Sequence, residues 1–326
     1  MGNRQRGTAL LLAGFLWAMP SLHAQELPAT PQPAPLSLGN TAAPGCSDFL
    51  QQSVKQIQQE QFPAAILSAD AGLSKCPSDT TLQLAKARAL MLSKQFDAAV
   101  QTLNAVLTVA PSDVEALILL GQVQYLSNHD TDAAAAFQKA ITAAPDKPDP
   151  HYWMGRLAYE DGRIPQAKEQ FEAAIKLDGG YFKAYDNLGL CYEALSDTPH
   201  AVQSYVKALS LVYKDHPEYD SVYLNLAALM LKQGANQRAF DLAAEAASRN
   251  PHNPRSFFLA GKALEQAGKA DASLQWLNKA VAMDPVYPDP HYLLARVYRE
   301  QGKDAEARAE VARFKELSDK APKIRR

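Results

Sequence analysis

The chain is 326 residues long, 47% hydrophobic and 21% charged, enough apolar material to bury a large core and too much for a disordered polymer. With 33 Lys and Arg against 35 Asp and Glu, the formal net charge is -2, so there is no basic footprint and nucleic acid is not an expected partner.

Residues 1–24 read as an export signal. Arg4 and Arg6 precede an apolar stretch at 9–19, and Leu22-His23-Ala24 offers a cleavage site. The stretch is too short to span a bilayer, and no cysteine follows in place for lipid attachment. The expectation is an exported mature protein, periplasmic or extracellular, with no transmembrane segment; retention of residues 1–24 as an anchor is the alternative. Pro28, Pro31, Pro33, Pro35 and Pro44 then mark residues 25–45 as an extended linker.

From Cys46 the sequence repeats every 34 residues, in units starting at 46, 80, 114, 148 and 182. After a four-residue insertion at 216–219, further units start at 220, 254 and 288. Position 8 of the units reads Ser53, Ala87, Gly121, Gly155, Gly189, Ala227, Gly261 and Ala295. Position 20 reads Ala65, Ala99, Ala133, Ala167, Ala201, Ala239, Ser273 and Ala307. Positions 4, 7, 8 and 11 share one face of a helix, as do 20, 24 and 27, so each unit predicts two amphipathic helices whose small residues permit close approach. Asn128, Gly162, Gly234, Gly268 and Gly302 are placed to end the first helix in the left-handed conformation. Prolines 77, 111, 145, 251 and 285 stop the second. A lone helix of about 14 residues is marginal in water, so these hairpins must stack on their neighbours.

In the first unit, polar at Gln52 and Gln56, Cys46 opens the first helix and Cys76 closes the second. Antiparallel pairing brings those ends together, and an exported chain meets oxidising conditions, so a Cys46 to Cys76 disulfide is expected. The pentapeptide Pro-Asp-Pro-His-Tyr occurs at 148–152 and 288–292, four periods and the insertion apart. Asp149 and Asp289 are expected as helix N-caps, with Pro150 and Pro290 at the first helical position. His151 and His291 fall at position 4, filled elsewhere by Phe49, Leu117, Tyr185, Tyr223 and Phe257, which reads as packing rather than metal or proton chemistry. Cys191 is expected as a buried thiol. The last unit thins into Glu306, Arg308, Glu310, Arg313, Lys315 and Glu316, a solvated terminal surface, and 322–326 form a short basic tail.

A 34-residue period with small residues at 8 and 20 and proline near 32 resembles the tetratricopeptide (TPR) repeat family. The unit 182–215 carries the resemblance best, through Tyr185, Leu188-Gly189, Tyr192, Ala201, Tyr205 and Ala208, and the pattern covers 46–321. The resemblance implies an all-α, right-handed superhelical solenoid of antiparallel helix pairs. It also implies a concave groove lined by first helices near positions 2, 5, 6, 9, 12 and 13, the positions left over once 4, 7, 8 and 11 are spent on packing.

The candidate groove residues are therefore Arg88, Arg156, Lys262 and Arg296 at position 9, Tyr152, Phe258 and Tyr292 at 5, Tyr125 and Tyr159 at 12, and Asn187 and Asn225 at 6. The two asparagines resemble those with which the family bonds a peptide backbone. Cationic and aromatic rungs would suit a protein or extended peptide that is acidic or has a free carboxylate. Arg and Lys stems that merely cover neighbouring helices are the bland alternative, since Glu160, Glu193 and Glu265 share the face. HExxH, GxGxxG, GxxxxGK, GxSxG, CxxC and CxxCH are absent, so no cofactor, metal or catalytic activity is expected. The function expected is a binding scaffold in an envelope or secretion complex. A glycan-binding module in polysaccharide export, using groove aromatics, is the alternative.

Overall fold

The computed structural model describes residues 45–320 apart from Pro217. The expectations for 1–24, for most of 25–45 and for 322–326 lie outside these residues. Sixteen helices and no strand occur among the described residues. The first, or A, helices of the units are α1 (Ser47–Gln58), α3 (Thr80–Leu92), α5 (Val114–Leu126), α7 (Pro148–Glu160), α9 (Phe182–Ala194), α11 (Ser221–Lys232), α13 (Pro254–Gln266) and α15 (Pro288–Glu300). The B helices are α2 (Phe62–Lys75), α4 (Phe96–Val109), α6 (Asp130–Ala143), α8 (Ile164–Leu177), α10 (Thr198–Asp215), α12 (Asn236–Arg249), α14 (Ala270–Met283) and α16 (Asp304–Lys320).

Each A helix after α1 packs on its own B helix, on the preceding B helix and on the preceding A helix, whereas among the described residues no two B helices come within 8 Å of each other between Cα atoms. The A helices therefore make one continuous wall and the B helices stand apart on the other side. The small residues at 8 and 20 hold each hairpin together. Where serine takes one of those slots it bonds its opposite number: Ser53 Oγ donates to the Ala65 carbonyl at 2.9 Å, and Ser273 Oγ to that of Gly261 at 2.8 Å. Both serines are fully buried, so each hydroxyl needs that carbonyl.

Asn128, Gly162, Gly234, Gly268 and Gly302 have φ between 62° and 72°, as expected, and Glu60, Lys94 and Ser196 take the same conformation in the remaining units. The insertion has a local cause. The unit 182–215 lacks a stopping proline and holds Tyr213 at that slot, so α10 runs to 18 residues where most B helices have 14, adding one turn. One expectation is corrected: α7 and α15 begin at Pro148 and Pro288 with Lys147 and Tyr287 as N-caps, so Asp149 and Asp289 lie inside the first turn. The first N–H groups of a helix have no intrahelical acceptor, so both prolines of each Pro-Asp-Pro fit in that turn at no cost in bonding.

The structure bonds Cys46 to Cys76, with Cα atoms 6.5 Å apart. Apolar clusters succeed one another along the stack, from Cys46, Leu50 and Leu82, through Leu103 and Leu119, to an aromatic group with Phe137, Trp153 and Phe171. Cys191 is buried in the last of these, and burial pushes its thiol up to about 12. No helix among the described residues is long and apolar enough to cross a membrane.

Candidate functional site

The A-helix wall carries the expected groove residues at positions 5, 6, 9 and 12, and in the middle units neighbouring A helices close over them. Tyr152 is 3% exposed, its ring 5.3 Å from Tyr181, 5.5 Å from Trp153 and 5.9 Å from Phe171. One turn further along α7, Arg156 is also 3% exposed. Its guanidinium lies 5.2 Å over the Tyr125 ring, 5.3 Å over Trp153 and 3.8 Å from the Glu160 carboxylate. The Tyr125 hydroxyl donates to the same carboxylate, and burial raises the pKa of both groups. Tyr125, Tyr152 and Arg156 are thus one internal strut binding units three and four.

The asparagines are likewise engaged. Asn187 Nδ2 donates to the Lys183 carbonyl at 2.8 Å, while its Oδ1 is buried without a hydrogen-bond partner among the described residues. Asn225 Nδ2 donates to Asp186 Oδ1 at 3.0 Å, and Asn225 Oδ1 accepts from Arg255 Nη2 at 3.3 Å. Asp186 is fully buried, accepts from the Tyr219 hydroxyl at 2.7 Å through its second oxygen, and is pushed by burial up to about 6.

This network was not read from the sequence, although a signal for it exists. At three A helices a residue one or two places before the helix reaches back to a carboxylate of the preceding A helix or its cap. Tyr181 donates to Asp149 at 2.9 Å, Tyr219 to Asp186, and Asn253 to Asp220 at 2.7 Å.

The wall is closed at α3 and opens toward α15. Arg88 is buried at one end, 3.8 Å from Glu115, and burial lowers its pKa. Tyr159 is partly buried, its phenol pushed up to about 12 by burial. At the other end Phe258 packs 5.4 Å from Tyr287, and the half-buried Lys262 lies 5.9 Å from the Phe258 ring. Arg296, 45% exposed in its side chain, pairs with the buried Glu265 at 2.7 Å. Tyr292 is 50% exposed and 5.5 Å from Phe314. The position-9 cations do not form one ladder: Arg88 and Arg156 are internal, while Lys262 and Arg296 reach solvent beside Arg299.

His151 and His291 bond the B helix of their own unit, through Gln170 at 2.9 Å and Glu310 at 2.5 Å. Among the described residues no group of His, Cys, Asp and Glu is placed to hold a metal.

Comparison with known proteins gives the same fold. Three family profiles described as tetratricopeptide repeats match residues 84–148, 125–189 and 184–215, and one described as a TPR repeat matches 261–302. The chain is 29% identical over 104 residues to the TPR repeat-containing protein YpiA of Bacillus subtilis, a match spanning 32% of this chain and 25% of that protein. It thus aligns with a quarter of that relative's length. Among solved structures, the APC/C hetero-tetramer Cut9–Hcn1 contains a chain superposing with a TM-score of 0.64 at 16% identity, covering 84% of this chain and 53% of the other. Pseudomonas aeruginosa pilF superposes at 0.57 and 17% identity, covering 64% and 93%. Both likenesses concern the fold alone. Together the profile matches span more than half of the sequence, on the same repeating helix pairs that the structure stacks, and the chain belongs to the tetratricopeptide repeat family.

Proposed function

We infer that this chain is a non-enzymatic scaffold that holds a protein partner, an extended peptide or a protein surface, against its A-helix wall. The observation that carries this reading is the wall itself. Consecutive A helices pack directly on one another, so side chains from different units share one surface with fixed spacing. Buried struts such as Arg156 with Tyr125 and Glu160 support the wall and make it rigid, which lowers the entropy cost of gripping a partner. The partner is acidic or carries a free carboxylate, since the accessible groups of units seven and eight include Lys262, Arg296 and Arg299. Export supports placement in an envelope or secretion complex, and rests on the basic and apolar residues of 1–24.

The test uses the whole chain in its native envelope, with a photo-cross-linking residue at Tyr292 on the wall or at Leu177 on a B helix. Cross-links from 292 and not from 177, lost in Lys262→Glu/Arg296→Glu with the melting transition unchanged, are the expected result. Equal cross-linking from both sites, or capture indifferent to charge reversal, overturns the reading. A glycan ligand is favoured by one observation, the half-exposed Tyr292 ring, which offers a stacking face. Retention on immobilised glycan that Tyr292→Ala abolishes would establish it. Tyr152 takes no part in that test because it is buried.

A further inference from the structure

From Leu50 in the first unit to Phe258 in the seventh, position 5 of each A helix is buried or partly buried, yet Tyr292 in the eighth is exposed. In the fourth and seventh units the slot is covered by the entry of the next A helix. Tyr181, the N-cap of α9, sets its ring 5.3 Å from Tyr152 and donates to Asp149 at 2.9 Å. Tyr287, the N-cap of α15, covers Phe258 at 5.4 Å. The receiving surface of α7 recurs on α15: Asp289, Tyr292 and Arg296 stand at positions 2, 5 and 9, where α7 has Asp149, Tyr152 and Arg156. At position 34, held by Tyr181 and Tyr287 in the fourth and seventh units, the eighth unit has Ala321, which brings no phenol to Tyr292.

Two cations flank this surface. Arg299 on α15 and Arg308 on α16 are exposed, and neither forms an ion pair among the described residues. Position 12 of one A helix pairs with position 9 or 13 of the next, as Glu265 does with Arg296 at 2.7 Å and Glu193 with Lys232 at 2.8 Å. Arg299 stands at that position 12. Arg308 holds the slot of Lys168, whose ammonium lies 5.7 Å from the Tyr192 ring of α9.

We propose that α15 and α16 receive a helix of a partner protein in the way that α7 and α8 receive α9. The partner's helix is entered through a tyrosine, whose ring covers Tyr292 and whose hydroxyl donates to Asp289. It carries a carboxylate at position 9 or 13 in the same count, opposite Arg299. Stacked repeats bury their faces only against a neighbour, so a half-exposed aromatic in a slot covered elsewhere marks a face built to be covered. A second copy of this chain does not supply the helix. Its Tyr181, Tyr219 and Tyr287 are already spent inside its own stack. Its α1 is entered through Gly45-Cys46 and brings Gln51, Gln52 and Lys55. The inference rests on the A-helix wall being the partner-binding face and names what the last helix of that wall takes.

The probe is a stapled peptide copying Tyr181–Ala194 with Cys191→Ala and Ala194→Glu, titrated by fluorescence anisotropy onto the whole chain. Its affinity should fall about tenfold with Tyr181→Ala in the peptide or Tyr292→Ala in the chain. It should fall about fivefold in Arg299→Glu and recover when lysine replaces the peptide's last glutamate. Arg299 is exposed, so that variant keeps its fold even if Tyr292→Ala loosens the last hairpin. Peptide that fails to bind, or that binds regardless of its tyrosine, overturns the inference; if cross-links from position 292 to an envelope protein still form, the wall reading stands without it. Peptide binding without such cross-links supports the tyrosine-led helix and removes the wall reading's envelope partner. Self-association of the wild-type chain that Tyr292→Ala abolishes would make a second copy the occupant and overturns the inference as well.

Discussion

At the scale of single residues, position 8 is glycine wherever position 24 is aromatic. Glycines 121, 155 and 189 face Phe137, Phe171 and Tyr205, whereas Ala87, Ala227 and Ala295 stand opposite Leu103, Ala243 and Val311. A Cβ added at Gly189 would lie 2.4 Å from the Tyr205 ring, which is fully buried and has nowhere to go. Gly189→Ala is therefore expected to lower stability by about 1 to 3 kcal/mol through overpacking. Adding Tyr205→Leu, which restores the pairing of the second unit, should recover part of that loss in urea unfolding; a neutral Gly189→Ala would refute the pairing. Asp186 makes the second case. Burial holds its folded-state pKa at about 6, above the ~3.9 of an unfolded aspartate. Between those values the folded chain retains a proton that the unfolded chain has lost, so Asp186 lowers stability as pH rises from about 4 to about 6, by on the order of 2 kcal/mol in all. Its hydrogen bonds from Asn225 and Tyr219 and the nearby Arg255 oppose the shift without cancelling it. Asp186→Asn should flatten the urea midpoint against pH in that window, and curves that stay parallel to wild type would show that Asp186 does not titrate there.

Among the elements, the first hairpin depends most on a covalent link. α1 buries only Leu50 and Ser53, and α2 only Ala65, Ala69 and Gly72, so little packing holds them. The Cys46–Cys76 bond closes a segment of sequence separation 30, for which chain entropy gives about 3 to 4 kcal/mol. Cys76→Ser should make Ser47–Lys75 sensitive to protease while Thr80–Lys320 remains resistant, and an unchanged digestion pattern would deny the bond that role. Helix existence and order were legible from sequence because the constraints are local. Small residues at 8 and 20 recur in every unit, and prolines follow five of the B helices at one slot. Two features were not legible. Glu60, Lys94 and Ser196 take the left-handed conformation without glycine's signature, and Pro-Asp-Pro hides its helix start, because either proline is acceptable within a first turn.

On the scale of the whole molecule, the site was less legible than the fold, and the reason is geometric. Arg156 and Arg296 occupy the same slot nine, yet one is buried and the other half exposed. The difference depends on how the next A helix is set down, and no further A helix follows α15 among the described residues. The same nearest-neighbour construction governs stability, since each unit touches only the units beside it. Opening should therefore cost more at an interior cluster flanked by packed units on both sides, such as that of Tyr125, Trp153, Phe171 and Cys191, than at a terminal hairpin. Native-state hydrogen exchange is expected to show slowest amides in α7 and α9, intermediate ones in α3 and α13, and fastest ones in α16 and, once the disulfide is reduced, in α1. A protection profile flat across all units would mean that the stack opens as one cooperative body, which contacts confined to neighbours give no means of enforcing.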